Sequence, residues 1–439
     1  MNALHVDFQK KVGPMKPVHG VNNGPVTCNF TQDATEYFRE AGIPFSRLHD
    51  TEYPFGSGEF VDVGCVFPNF DADPSDPANY NFALTDLYLR KILDAGTKII
   101  YRLGSSIEHQ PIKRHIHPPK DSLQWARICE GIIRHVNEGW GDGHHMDIQY
   151  WEIWNEPELV EGQMWTGTPE QFYELYTVAA AHLKGQYPGL KIGGPAFAGP
   201  WKSEFREGFF RYISQRKAPL DFFSWHGYIH TVEEAAQAAQ AAREFLDEYG
   251  YTGTESIYDE WNYVRNWADC DESWKTGRSL KGAAFDAGVL TALQRGPVDI
   301  ANYYDAQLKF AGSWCGLFAK APVRAHAGIH PVQPLKPYYA FKAFGELYRL
   351  GTEVLSSIQG EGLYTLAASD GKTGKVLLVN FREEYAVKQS LSLSLEGCAG
   401  RIRSYRILDE THNLTDLPVP EGGQLELPAY SVALLEVEL

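Results

Sequence analysis

The stretch Tyr150-Trp151-Glu152-Ile153-Trp154-Asn155-Glu156-Pro157 decides how the chain is read. It is a short apolar run that ends on an Asn-Glu pair and is closed by a proline. Downstream, Thr168-Pro169-Glu170-Gln171 carries an N-cap threonine, a proline at the first helical position and a capping-box glutamine. A second strand-like run follows at Lys191–Phe197. Strand, helix and strand in that order make a βαβ unit, whose two strands are parallel.

Moving outward, the same alternation fills the first 350 residues. Strands are expected at Pro17–Asn23, Phe45–Asp50, Lys98–Ser105, Tyr150–Glu156, Lys191–Phe197, Asp221–Tyr228, Ser256–Asn262 and Asp299–Gln307. Helices are expected at Leu84–Asp94, Ser122–Val136 and Tyr338–Leu350, each followed by a glycine, and from the capping box Thr231-Val232-Glu233-Glu234 to Gly250. Eight strands alternating with helices point to an α/β fold, a closed (β/α)8 barrel over 17–350. An open doubly wound sheet is the competitor, but no G-x-G-x-x-G follows the first strand. Beyond Gly351 the texture turns to β-rich runs joined by Gly, Asp and Pro. Leu363–Ser369, Lys375–Arg382, Gln389–Glu396, Arg401–Asp409 and Ser431–Leu439 suggest a small all-β sandwich over 351–439, completed by a strand from 1–16.

Composition narrows the function. The chain has 439 residues and a formal charge of −16, which repels the phosphates of nucleic acids and anionic membranes. Six cysteines lie scattered with no C-x-x-C pair, so neither a zinc ribbon nor a disulfide scaffold follows. The first residues lack the apolar core of a signal peptide, and a cytoplasmic location is the expectation. Aromatic residues make up 13%, either core filler or stacking surfaces for sugars.

In such a barrel the chemistry gathers at the C-terminal ends of the strands. Those ends read His19, Asn22 and Asn23; Arg47, His49 and Asp50; Arg102, Ser105 and Glu108; Asn155 and Glu156; His226 and Tyr228; Glu260 and Asn262; then Asp305 and Trp314. Glu156 closes the fourth strand and Glu260 the seventh, which lie across the barrel mouth. Two facing carboxyl groups are what glycoside hydrolysis requires, one to protonate the leaving oxygen and one to act at the anomeric carbon. Strand alternation assigns Ser256, Tyr258 and Glu260 to one face, and turns Asp259 toward the helical layer or a neighbouring loop. Glu152 shares parity with Glu156 and is read as a buried, paired, structural carboxylate.

Trp-Asn-Glu-Pro and the later Glu-Trp-Asn resemble the acid/base and nucleophile signatures of (β/α)8 retaining glycosidases. With Phe45-Ser46-Arg47-Leu48-His49, Phe223-Ser224-Trp225-His226-Gly227-Tyr228 and Trp314-Cys315-Gly316-Leu317-Phe318, the match from about His19 to Phe318 is best to glycoside hydrolase family 39, the β-xylosidase and α-L-iduronidase family. The resemblance implies Glu156 as acid/base, Glu260 as nucleophile kept ionised by Arg47 and Tyr228, and Asn155 on the sugar 2-hydroxyl. It places His226 and Trp314 around the terminal sugar, and it leaves His19, His49, Asp50 and Glu108 as hydroxyl ligands. Trp154, Trp225, Tyr228, Trp261 and Trp314 form the expected sugar-facing aromatic group. Family members commonly carry a hydroxyl residue before the nucleophile; here it is Asp259.

The function so implied is a retaining exo-glycosidase acting on plant-type oligosaccharides, most like a β-xylosidase. Alternatives are an arabinosidase, galactosidase or uronidase with the same mechanism, or a catalytically silent sugar-binding barrel. No cofactor or metal is expected. His115-Ile116-His117 and His144-His145 read as solvated loop histidines, and Cys129 and Cys315 as packing.

Overall fold

The computed structural model describes residues 2–28, 30–53, 58–107, 113–159, 163–306, 316–320, 332–399, 401–420 and 422–439. The first strand, β1 (Asn2–Pro14), belongs to the C-terminal sheet. The next eight are β2 (Gly20–Asn22), β3 (Phe45–Arg47), β4 (Lys98–Leu103), β5 (Tyr150–Ile153), β6 (Lys191–Phe197), β7 (Phe222–Ile229), β8 (Glu255–Tyr263) and β9 (Ile300–Tyr303). All are parallel to their neighbours, and β9 pairs back onto β2 through Gly20 with Asn302 and Val21 with Tyr303, which closes the barrel.

The intervening helices are α1 (Thr35–Ala41), α2 (Val63–Val66), α3 (Ala83–Asp94), α4 (Ser122–Glu138), α5 (Pro169–Gln186), α6 (Glu204–Arg216), α7 (Val232–Glu248), α8 (Cys270–Gly277), α9 (Leu280–Arg295) and α10 (Lys336–Tyr348). Their ends follow local chemistry. Thr168 and Thr231 each form a reciprocal capping box, with Gln171 and Glu234, at the starts of α5 and α7. Gly139 ends α4 at φ 77°, a left-handed conformation that favours glycine.

The barrel interior is layered. Phe45, Ile100, Phe222, Ile257 and Ile300 form an apolar cluster of their own, with Tyr150 against it, at the N-terminal end of the strands. Two residues further along β3, β4, β5 and β8, the same inward parity presents Arg47, Arg102, Glu152 and Asp259, all buried. The change from apolar plug to charged layer marks where the core gives way to the site.

A short hairpin of β10 (Phe318–Lys320) and β11 (Val332–Pro334) precedes α10. The remaining strands are β12 (Thr352–Ile358), β13 (Leu363–Ser369), β14 (Thr373–Asn380), β15 (Gln389–Glu396), β16 (Ile402–Leu408), β17 (Asn413–Leu417), β18 (Gln424–Leu427) and β19 (Ser431–Glu438). With β1 they make one nine-stranded ladder in the order β17-β16-β19-β14-β13-β12-β1-β15-β18. Alternation splits its side chains. Val6, Val376, Leu378, Leu435 and Val437 join a core within the sheet, whereas Leu366, Leu377, Val379, Val432 and Leu434 join the barrel core. Glu346 of α10, paired with Lys375 at 2.5 Å and with both terminal nitrogens of Arg406, ties the two parts together. Among the described residues no helix is long and apolar enough to cross a membrane.

Candidate active site

Arg47 is the hub of the mouth. Buried at the end of β3, it spreads its guanidinium over five partners from β2, β5 and β8 or their ends, Asn22 Oδ1 accepting at 3.2 Å among them. Nε donates to Glu152 Oε2 at 2.6 Å and lies 2.9 Å from Asp259 Oδ2. One terminal nitrogen donates to Glu260 Oε1 at 2.7 Å and the other to Asn155 Oδ1 at 2.8 Å. Arginine only donates, so Asn155 must present its oxygen to Arg47 and turn its amide nitrogen away. Burial disfavours the Arg47 charge, but Glu152, Asp259 and Glu260 outweigh it and hold the guanidinium charged.

Glu260 receives a second bond from Tyr228, whose hydroxyl donates to Oε2 at 2.7 Å. Its two oxygens are therefore each held by a donor. Burial pushes the Glu260 carboxyl above its ordinary range, while His226 and Arg47 pull it back down. Glu156 sits across from it at a left-handed φ of 45°, its backbone N–H bonded to Ala196 O at 2.9 Å. His226 bridges the two, with Nδ1 at 2.7 Å from Glu156 Oε1 and 3.4 Å from Glu260 Oε2. One carboxylate oxygen of Glu156, one of Glu260 and a nitrogen of His226 all lie within 4.8 Å of one another.

His49 and Asp50 complete the wall. His49 Nε2 is 3.4 Å from Asp50 Oδ1 and 3.9 Å from Glu260 Oε1. Burial, with Arg102 and Arg47 nearby, holds His49 well below the usual imidazole range and so neutral, although Asp50 opposes this. Asp50 accepts from Tyr304, a residue not anticipated, which follows β9. Asp62 is another: it grips Arg102 and accepts from the backbone and hydroxyl of Ser106, whose oxygen in turn accepts from the Asp50 N–H at 3.0 Å. Asn23 donates to Asp305 at 3.3 Å.

Asp259 overturns the expectation from alternation. It points into the barrel, not toward the helices, and is fully buried. The reason is a β-bulge. Trp225 pairs with Tyr258, but the next residue, His226, pairs with Glu260, so one residue of β8 is extra. Before the bulge odd positions face inward; after it even ones do. Asp259 and Glu260 are thus both delivered to the interior. Glu152 is buried against Arg47 as expected, and burial beside Asp259 raises its carboxyl to about 8 despite Arg47.

Other expected residues fall elsewhere. His19 does not reach the mouth. It precedes β2, at the opposite end of the strand, where Nε2 meets Gly42 O at 3.0 Å and the ring packs between Phe344 and Tyr348. Trp154, Trp225 and Trp261 do not face sugar either. Trp154 donates to Met164 O and packs on Trp165, Trp225 stacks on Tyr258, and Trp261 lies on Phe341. They occupy the outward faces of strand ends, where the helices cover them. Of the proposed aromatic group Tyr228 is at the mouth, and the exposed Trp267 stands edge-on to it at 5.0 Å. Glu108 and Trp314 lie outside the described residues.

Of the loop histidines, His117 bonds Thr166 Oγ1 at 2.7 Å. His144 meets Asp86 at 3.1 Å beside His135, on the outer helical layer.

The model of glycosyl hydrolases family 39 matches residues 48–271, just over half of the chain. A β-xylosidase of Caldicellulosiruptor saccharolyticus is 31% identical over 144 residues, 32% of this chain and 26% of that enzyme. A β-xylosidase of Geobacillus stearothermophilus is 34% identical over 119 residues, 26% of this chain and 22% of that enzyme. The chain thus spans about a quarter of the length of the curated relatives it matches. Among solved structures, a glucosidase from Croceicoccus marinus aligns over 100% of this chain and 99% of its own, with a TM-score of 0.78 and 24% identity. A monomeric β-xylosidase from Caulobacter crescentus aligns over 99% of both chains, with a TM-score of 0.69 and 17% identity. These likenesses place the whole architecture among barrels with an appended β-sheet domain. With the family model covering the strand-four and strand-seven motifs together, the chain belongs to glycosyl hydrolases family 39.

Proposed function

We propose that the protein is a retaining exo-glycosidase that removes terminal sugars from plant-type oligosaccharides, with a β-xyloside as the preferred class. The observation that carries this reading is the approach of the Glu156 and Glu260 carboxylate oxygens to within 4.8 Å. Retaining pairs stand about 5–5.5 Å apart, whereas inverting pairs need about 6.5–9.5 Å to admit a water between carboxylate and sugar. In the first step Glu156 gives its proton to the glycosidic oxygen while Glu260 attacks the anomeric carbon. The bond to the leaving group breaks and an ester to Glu260 forms. In the second, water passes a proton to Glu156 and attacks the same carbon, releasing Glu260.

The arrangement around Glu260 supports the nucleophile role. Arg47 and Tyr228 hold both oxygens, so little reorganisation is needed as charge leaves the carboxylate. Asn155, fixed by Arg47, has its amide nitrogen free of that bond to meet the sugar 2-hydroxyl. The β-xyloside preference is supported by the two curated relatives, both β-xylosidases.

A panel of aryl xyloside, arabinoside, galactoside, glucoside and glucuronide tests substrate and activity together. Proton NMR of the first-formed sugar tests mechanism. Turnover of the xyloside with retained anomeric configuration is expected. An inverted product would sink the double displacement, and sugar binding without turnover would favour a silent barrel.

A further inference from the structure

The mouth holds acidic groups that double displacement does not use, Asp259 among them. Asp259 is fully buried next to the nucleophile, aimed inward by the bulge in β8. Its Oδ2 is 2.9 Å from Arg47 Nε, but that N–H is directed at Glu152, and neither Asp259 oxygen has a well-directed hydrogen bond. Its Oδ1 stands 3.6 Å from His226 Nε2.

His226 therefore has a carboxylate at each end. Nδ1 faces Glu156 and Glu260, from β5's end and β8, and Nε2 faces Asp259. The remaining charged or titratable neighbours are Glu152 behind Asp259, Arg47 from β3, His49 beyond it and Tyr228 on the same strand. A neutral imidazole has a single N–H and would leave a lone pair against a carboxylate at one end. A doubly protonated ring satisfies both. We propose that Asp259 is a positioning residue that acts through His226, holding the ring doubly protonated from below so that its Nδ1–H stays on Glu156. Burial by itself would discharge His226, but Glu260, Asp259 and Glu156 outweigh it and raise the imidazole well above its ordinary range. The charges then balance. Arg47 and His226 face Asp259 and Glu260, while Glu152 keeps a proton that it can share with Asp259.

The kinetic part of this inference rests on the glycosidase reading; the protonation part does not. The test compares wild type with Asp259→Asn, which keeps the shape and removes the charge. Asp259→Thr, which also removes the charge, serves if the first variant fails to fold. In protein labelled with nitrogen-15 histidine, with the His226 signal assigned by its loss in His226→Gln, the wild-type ring is expected to be doubly protonated at pH 7 and the variant ring neutral. In kinetics the variant's kcat falls about tenfold with KM within about twofold, the split expected of a contact made mainly in the transition state. The alkaline limb of kcat/KM moves up by about one pH unit, because a positive neighbour of the acid is gone. A wild-type His226 that is neutral at pH 7, or a folded variant whose His226 stays doubly protonated, overturns the proposal. An unmoved alkaline limb in an active variant does the same. Lack of turnover on every substrate would fail the glycosidase reading and leave the histidine signals to decide this one.

Discussion

Two histidines, both fully buried, stand at opposite ends of the barrel and behave in opposite ways. His226 at the mouth faces three carboxylates and is driven toward the charged form. His19 at the floor faces the backbone of Ala41 and Gly42 and two aromatic rings, and burial pushes it down to about 3. Burial costs both rings their hydration equally, so what decides the charge is what each ring meets in return. The floor is built to be inert. The mouth concentrates acids that water would otherwise stabilise better, a cost of several kcal/mol per buried ion before pairing is counted.

That contrast is broken or sharpened by substitution. The largest effect is expected for Glu260→Ala, with kcat lowered about ten-thousandfold or more while the circular dichroism spectrum is unchanged. Azide should restore turnover and yield a glycosyl azide of inverted configuration. Glu156→Ala is expected to lose about 10²–10⁴-fold on substrates with poor leaving groups. It should lose much less on activated aryl glycosides, which need no proton to depart. A flat response across leaving groups would count against Glu156 as the acid.

Stability separates the two ends further. Glu152 keeps its proton up to about 8 in the fold against an ordinary 4.5, so the folded chain binds more protons than the unfolded one across that window. Wild type should therefore lose stability as pH rises from about 4.5 to 8, and Glu152→Gln should flatten that slope by a few kcal/mol. His19 works with the opposite sign. Its folded value near 3 lies below the ordinary 6.5, so stability drains as pH falls through that range. His19→Phe should soften the acid loss in thermal melts yet leave kcat/KM within about twofold of wild type, the smallest functional effect of the set. A tenfold loss of kcat/KM would mean that the floor communicates with the mouth after all.

Much of this was legible beforehand, for identifiable reasons. Several of the barrel strands are followed by a helix whose start or stop carries a capping signal, as at Thr168, Thr231 and Gly139. The Asn155-Glu156 and Glu260 motifs stood out because polar residues ended apolar runs. What escaped had local physical causes. His19 was grouped with the strand end although it lies before β2, since a three-residue strand has too little pattern to set its direction of approach. The three tryptophans were assigned to sugar by residue type, yet they lie on the outward side of the strands. Tyr304 gave no signal apart from its place after β9. β12, β17 and β18 went unread because β17 and β18 are only five and four residues long and β12 carries a buried charge, Glu353, on its run.

The extra residue in β8 has a consequence for any change made to that strand. It acts like a frameshift in the code of faces: Ile257 and Asp259 are spelled in one frame, Glu260 and Asn262 in the other. Removing one residue there would turn Glu260, the proposed nucleophile, outward into the helices, while adding one elsewhere in the strand would bury the wrong half of it. The proposed chemistry thus depends on a single unit of backbone length at Asp259, before the charge of that residue is counted.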